Sequence, residues 1–296
     1  MTQAERPAWV DERLYPFTSR FLDLDGCRVH YVDEGQGPVL LMLHGNPTWS
    51  FLYRNIIQGL RGRFRCIAVD YPGFGLSTAA PGYTFTPDEH AEVVQRLMAG
   101  LGLSAVTLFL HDWGGPIGLS AAARDPQRIR ALIIGNTFAW SVDGFRHLRI
   151  FSRVFGGRVG GFAIRRFNAF VNLVIPAATR RRLSRAEMEH YRRALPSAEA
   201  RAGCAAFPTA LLASRAFLSD VDSGLASLRD LEALIVWGDG DVVFRAGVER
   251  KRFEKAFPRA TVVELPRAKH YIQEDAPAEI VAAIESWWGA TGPGQR

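Results

Sequence analysis

At 296 residues, 48% hydrophobic and 22% charged, the chain has room for one large α/β domain with an insertion, or for two domains. Its three cysteines, Cys27, Cys66 and Cys204, are widely spaced and form no CxxC pair, which argues against a zinc knuckle and fits a reducing compartment. No apolar run is long enough to span a bilayer, and Met1–Tyr15 carries no apolar signal core, so the expectation is a soluble cytoplasmic protein.

In chain order, Phe21–Asp25 and Val29–Val32 read as an opening hairpin turned at Asp25-Gly26. Val39–Leu43 is a buried strand running into His44-Gly45-Asn46-Pro47-Thr48, and Arg65–Asp70 is another, followed by Tyr71-Pro72-Gly73-Phe74-Gly75. Thr86-Pro87-Asp88-Glu89 starts a helix: Thr as N-cap, Pro in the first turn, Glu closing a capping box. Val93, Val94, Leu97 and Leu101 then recur at helical spacing. Ala105–Leu110, Ala131–Gly135, Ala233–Trp237 and Thr261–Leu265 complete the strand series. Strands separated by helices predict a mostly parallel, eight-stranded sheet covered on both faces. Phe138–Ala213 interrupts the series with a helical pattern, broken at Gly156-Gly157 and Gly160-Gly161. An insertion after the sixth strand predicts a helical cap, residues 138–213, over a main domain of residues 1–137 and 214–296.

The net charge of +6 is concentrated in that insertion, at Arg146, Arg149, Arg153, Arg158, Arg165, Arg166, Arg180, Arg181, Arg182 and Arg185. Such a cluster suits an anionic partner, nucleic acid or a membrane surface. Interleaved with Ile150, Phe151, Val154, Phe155, Ile164 and Phe167, it reads instead as the solvated side of amphipathic helices, with no nucleic-acid or membrane partner expected.

The chemistry starts at Leu108-Phe109-Leu110-His111-Asp112-Trp113-Gly114-Gly115, an apolar run that stops at an acid and two glycines. The pattern is a strand turning sharply into a helix with a carboxylate at the corner, where many hydrolases carry serine. A carboxylate attacking carbon gives an ester that water can cleave, whereas a serine attacking an alkyl carbon gives an inert ether. Asp112 therefore points to displacement at saturated carbon. Its ester needs a base, and His270, in the loop after Thr261–Leu265, is placed for that work. An acid must orient the histidine, and Asp239 or Asp241 could serve; Asp241 lies further into its loop and is preferred. After Ala131–Gly135 stands Asn136 rather than an acid, which argues against that strand as the source. Asn46 and Trp113 supply an amide and an indole N–H for a leaving group, and backbone N–H groups for an oxyanion. His44 reads as a structural hydrogen-bonding group, and His111 should point away from the nucleophile. No metal motif or phosphate-cradling loop is present in the sequence, and no cofactor is expected.

His44-Gly45-Asn46-Pro47-Thr48-Trp49, Asp70-Tyr71-Pro72-Gly73-Phe74-Gly75, His111-Asp112-Trp113-Gly114-Gly115 and Lys269-His270-Tyr271 together resemble the haloalkane dehalogenases of the α/β-hydrolase superfamily. The resemblance implies Asp112 as nucleophile, His270 as base, Asp241 as acid and Asn46 with Trp113 as the halide-stabilising pair. It implies a small apolar halogenated substrate and a halide product. Asn136 in place of an acid resembles the family's third subfamily, which carries an expectation of homo-oligomers. Epoxide hydrolases resemble the same frame but use two cap tyrosines, and the insertion holds one, Tyr191. A non-catalytic binding protein of this fold would be expected to lose a member of the triad, and none is missing.

Overall fold

The computed structural model describes residues 7–291. Eight strands form the sheet: β1 Arg20–Leu24, β2 Cys27–Glu34, β3 Val39–Leu43, β4 Arg65–Val69, β5 Val106–Asp112, β6 Ile129–Thr137, β7 Glu232–Gly238 and β8 Thr261–Leu265. Their order is β1-β2-β4-β3-β5-β6-β7-β8. β1–β2 and β2–β4 pair antiparallel, and all other neighbours pair parallel. The expected hairpin turns at Asp25-Gly26, both at positive φ. The central strands are mainly apolar and buried almost throughout, as strands covered on both faces are.

The helices in chain order are α1 Arg54–Leu60, α2 Pro87–Gly100, α3 Gly114–Arg124, α4 Arg146–Gly156, α5 Arg158–Phe167, α6 Ile175–Ala177, α7 Arg185–Arg193, α8 Ala202–Ala213, α9 Arg215–Gly224, α10 Lys251–Ala256, α11 Ile272–Asp275 and α12 Pro277–Thr291. α2 begins with the capping box: the Thr86 side chain accepts from the Glu89 amide and Glu89 returns to the Thr86 amide. α2 packs on α3, α3 on α9, and α1 on α12.

Between β6 and β7 the chain is helical, and α4, α5 and α8 pack on one another. The break at Gly156-Gly157 separates α4 from α5. The second break is a misreading: Gly160-Gly161 lies inside α5. A Cβ at Gly160 would collide with the Val154 carbonyl and the Phe155 backbone, so this glycine serves the tight approach of α5 to α4 rather than a break.

The helical segment is tied to the sheet by a buried ionic clamp. Arg54 of α1 donates to both carboxylate oxygens of Glu274, at 2.6 and 2.8 Å, and to Glu187 of α7 at 2.8 Å. Arg181 bonds both glutamates, and the Tyr191 hydroxyl bonds Glu274. Beside it, Asp275 accepts from the Arg180 and Lys269 amides. Arg54 and Glu274 are buried, so removing either partner strands a charge, at a cost of about 3–5 kcal/mol.

Candidate active site

β5 ends on Asp112, whose φ of 48° lies in the left-handed region, and α3 starts two residues later. The strand thus delivers its last side chain at the N-terminal end of a helix, where the peptide dipoles favour an anion. Asp112 packs against the loop after β3, and a Cβ at Gly45 would collide with its carboxylate. The Asn46 amide donates to Asp112 Oδ2 at 2.7 Å, and the Trp113 amide also bonds the carboxylate. Burial pushes the Asp112 carboxyl up, while the neighbouring His270 and these amides pull it back.

His270 follows β8 by five residues. Its Nδ1 bonds Asp241 Oδ2 at 2.9 Å, and its Nε2 lies 3.9 Å from Asp112 Oδ1. Burial alone would lower the imidazole; the charge and hydrogen bond of Asp241, with Asp112 adding, outweigh it and set His270 above the ordinary histidine value. Asp241 Oδ1 accepts from the Val243 amide at 2.7 Å, which fixes the carboxylate plane. Asp239 is exposed and accepts from the Arg267 amide, away from the histidine.

The expected residues Asp112, His270, Asn46 and Trp113 line one cavity, with Asp241 behind His270. The space open to the centre of a water molecule is about 40 Å³, roughly three waters' worth. The rest of the wall is apolar and comes largely from the helical segment: Leu148 and Phe151 of α4, Phe170 and Val174 of a π-helical turn, Pro208 and Leu211 of α8. One side-chain N–H of Asn46 is used by the Cys204 carbonyl at 3.1 Å, leaving its second N–H beside the Trp113 indole wall. Trp113 is held edge-on by Phe138, with Phe207 also packed against it.

His44 is a buried structural residue: Nδ1 donates to Gly45 O at 2.9 Å, Nε2 accepts from the Tyr71 amide, and burial pushes its pKa down to about 4. His111 points away from the cavity, and its Nε2 donates to the His270 carbonyl at 2.9 Å. Tyr191 lies in the ionic clamp and does not line the cavity.

Two residues escaped the sequence reading. Asn136 donates from Nδ2 to Asp241 Oδ2 at 2.9 Å and accepts the Gly238 amide on Oδ1 at 2.8 Å. The position dismissed for lacking an acid thus holds the acid of the neighbouring strand; adjacency of β6 and β7 was the available signal. Tyr271 lines the cavity and donates to the Asn46 carbonyl at 3.2 Å. Its place beside His270 was visible, but its direction was not.

The chain has relatives among known proteins. Residues 38–277 match the family model described as the alpha/beta hydrolase fold. The chain is similar to haloalkane dehalogenase 2 of Mycobacterium tuberculosis, 46% identical over 94% of this chain and 98% of the relative. It is also similar to the cis-3-alkyl-4-alkyloxetan-2-one decarboxylase of Shewanella oneidensis, 32% identical over 95% of this chain and 91% of that protein. Among solved structures, haloalkane dehalogenase DbeA from Bradyrhizobium elkani USDA94 superposes with a TM-score of 0.86 at 27% identity, over 94% of this chain and 100% of that one.

Proposed function

The chain belongs to the haloalkane dehalogenases of the α/β-hydrolase fold, enzymes that hydrolyse carbon–halogen bonds, and we propose that Asp112, His270, Asp241, Asn46 and Trp113 carry that reaction here. The observation that carries the assignment is the division of labour between the two Asp112 oxygens. Oδ2 is engaged by the Asn46 amide, and Oδ1 faces His270 across 3.9 Å at the cavity wall.

Oδ1 attacks the halogen-bearing carbon from the side opposite the halogen. The C–O bond forms as the carbon–halogen bond breaks, and the departing halide takes the bonding pair. The Trp113 indole N–H and the second Asn46 N–H stabilise the charge that grows on the halogen. The ester keeps Oδ2 as its carbonyl oxygen. A water then loses its proton to His270 Nε2 and attacks Cγ, and the Asn46 and Trp113 amides hold the oxyanion. The 3.9 Å offset suits a base that deprotonates a water between itself and the ester rather than Asp112 itself. The Cγ–Oδ1 bond then breaks, the leaving alkoxide takes the proton from His270, and alcohol and halide depart while the new Asp112 carboxyl releases a proton. Esterification removes the Asp112 charge that helps raise His270, so the imidazole becomes easier to keep neutral when it must act as base.

In this reading residues 138–213 act as the cap domain over a main domain of 1–137 and 214–296, and Asn136 with Asp241 supports the third subfamily. The substrate is a small apolar haloalkane: the wall is apolar, and about 40 Å³ is little room for a molecule with two alkyl chains such as the oxetanone relative's name describes. Tyr191 in the clamp leaves an epoxide without the second-side acid it would need. Three buried free cysteines support placement in the cytoplasm.

The test is covalent trapping. His270→Phe incubated with a bromoalkane adds the alkyl mass to the peptide holding Asp112 and releases one bromide per chain. A folded variant with no adduct there overturns the assignment. Trp113→Phe slows the alkylation step by about 10²–10³, read by halide release in a single turnover.

A further inference from the structure

Residues 144–186 contain ten of the insertion's thirteen arginines and neither Asp nor Glu. On α4, Arg146, Arg149, Ile150, Arg153 and Val154 are exposed together, at the spacing of one helical face. On α5, Arg158, Val159, Phe162, Arg165 and Arg166 do the same. Ile150, Val154, Val159, Phe162 and Phe167 are each half exposed or more, and they make up five of the nine exposed large apolar side chains among the described residues. Arg165 has Glu199 nearby, but no ion pair engages Arg146, Arg149, Arg153 or Arg158 among the described residues. Two adjacent helices thus show a face that is strongly cationic and apolar at once.

We propose that the α4–α5 face docks on an anionic lipid bilayer. Such a surface takes both components: headgroup phosphates pair with the arginines, and Phe162, Phe167, Val154 and Val159 enter the boundary below the headgroups. Arginine stems reach up from apolar surroundings to the charged layer. A second copy of this chain fits less well, because a two-fold interface would set the arginine-rich face against itself. A nucleic-acid backbone gives the exposed phenylalanines and valines nothing to enter. Among the described residues no helix is long and apolar enough to cross a membrane, so the contact is peripheral.

The inner side of α4 supplies Leu148 and Phe151 to the cavity wall. Docking therefore brings the wall of the cavity to the phase in which apolar haloalkanes concentrate. That consequence rests on the proposed dehalogenase site; the docking itself does not.

The experiment is flotation of the full chain with vesicles of phosphatidylcholine alone or with about one-third phosphatidylglycerol, at about 0.05 M and about 0.5 M salt. The expected result is at least about tenfold more protein on anionic vesicles at low salt, lost at high salt. Arg149→Glu/Arg153→Glu/Arg166→Glu abolishes flotation, and Phe162→Ser/Phe167→Ser weakens it, with turnover of a water-soluble bromoalkane unchanged in both. Absence of flotation, equal binding to neutral vesicles, or unaltered binding by the charge-reversed variant overturns the proposal. So does a concentration-dependent dimer, or retention of duplex DNA, in place of flotation. Because flotation reads protein position, failure to trap an Asp112 adduct with flotation intact strikes the site and spares the surface.

Discussion

His30 and His270 each hold an aspartate through Nδ1, at 2.8 Å to Asp70 and 2.9 Å to Asp241. The pairs differ at the far nitrogen. His30 Nε2 ends on Ser19 Oγ at 3.1 Å, in a fully buried setting. Asp70 also accepts the Ser50 and Leu76 amides, so this pair fastens β2, the end of β4 and the loops beside them. His270 Nε2 instead looks across 3.9 Å at a carboxylate on the wall of a cavity. The aspartate orients a histidine in both places; a second acceptor turns one into a fastener, and an open side toward a nucleophile suits the other to act as a base.

Three measurements test this distinction. The largest effect is expected from His270→Phe, which should lower steady-state turnover by about 10⁴ or more with the fold retained. His30→Phe should do the reverse: stability falls by about 3–5 kcal/mol as Asp70 loses its partner, while turnover per folded molecule persists. Calorimetry with turnover normalised to trapped sites separates the two, and a stable but inactive His30 variant would erase the distinction. Next, Asn136→Ala removes a hydrogen bond to a charged group and should slow hydrolysis of the alkyl-enzyme about 10–100-fold, with alkylation little changed. Ser19→Ala, the matching change at the other pair, should leave both steps alone.

The smallest effect is in pH. In the free enzyme Asp241 and Asp112 outweigh burial and raise the His270 pKa. The base must be neutral, so activity is lost as pH falls through that value. In the ester the Asp112 contribution is gone, and the apparent pKa of the hydrolysis step should lie below that of His270 in the free enzyme. Single-turnover rates against pH, compared with an NMR titration of His270, check the order of the two values.

All eight strands and the Thr86 helix start were legible, because apolar runs and caps are local signals. So was the order Asp112, Asp241, His270, since each residue sits at or shortly past the end of a strand. Some strand ends were read short: β5 runs on to Asp112 because pairing with β6 continues past the apolar run. Asn136 was invisible because its role depends on β6 lying beside β7. Gly160 misled because a glycine that admits a neighbouring helix looks, in sequence, like one that ends its own.

The ionic clamp has a consequence for heat. Glu274 and Asp275 lie four and five residues past His270, and the Tyr271 amide bonds the Ala178 carbonyl. The same few residues therefore latch the helices over the sheet and seat the imidazole. The clamp rests partly on Glu187 and Arg181, which are nearer the surface than the central strands, so local opening there comes before global melting. On warming, the imidazole should drift before the sheet unravels. Asp112, seated on β5 and the Gly45 loop, would still react. Thermal inactivation would then leave a folded, alkylated protein stalled halfway through its cycle.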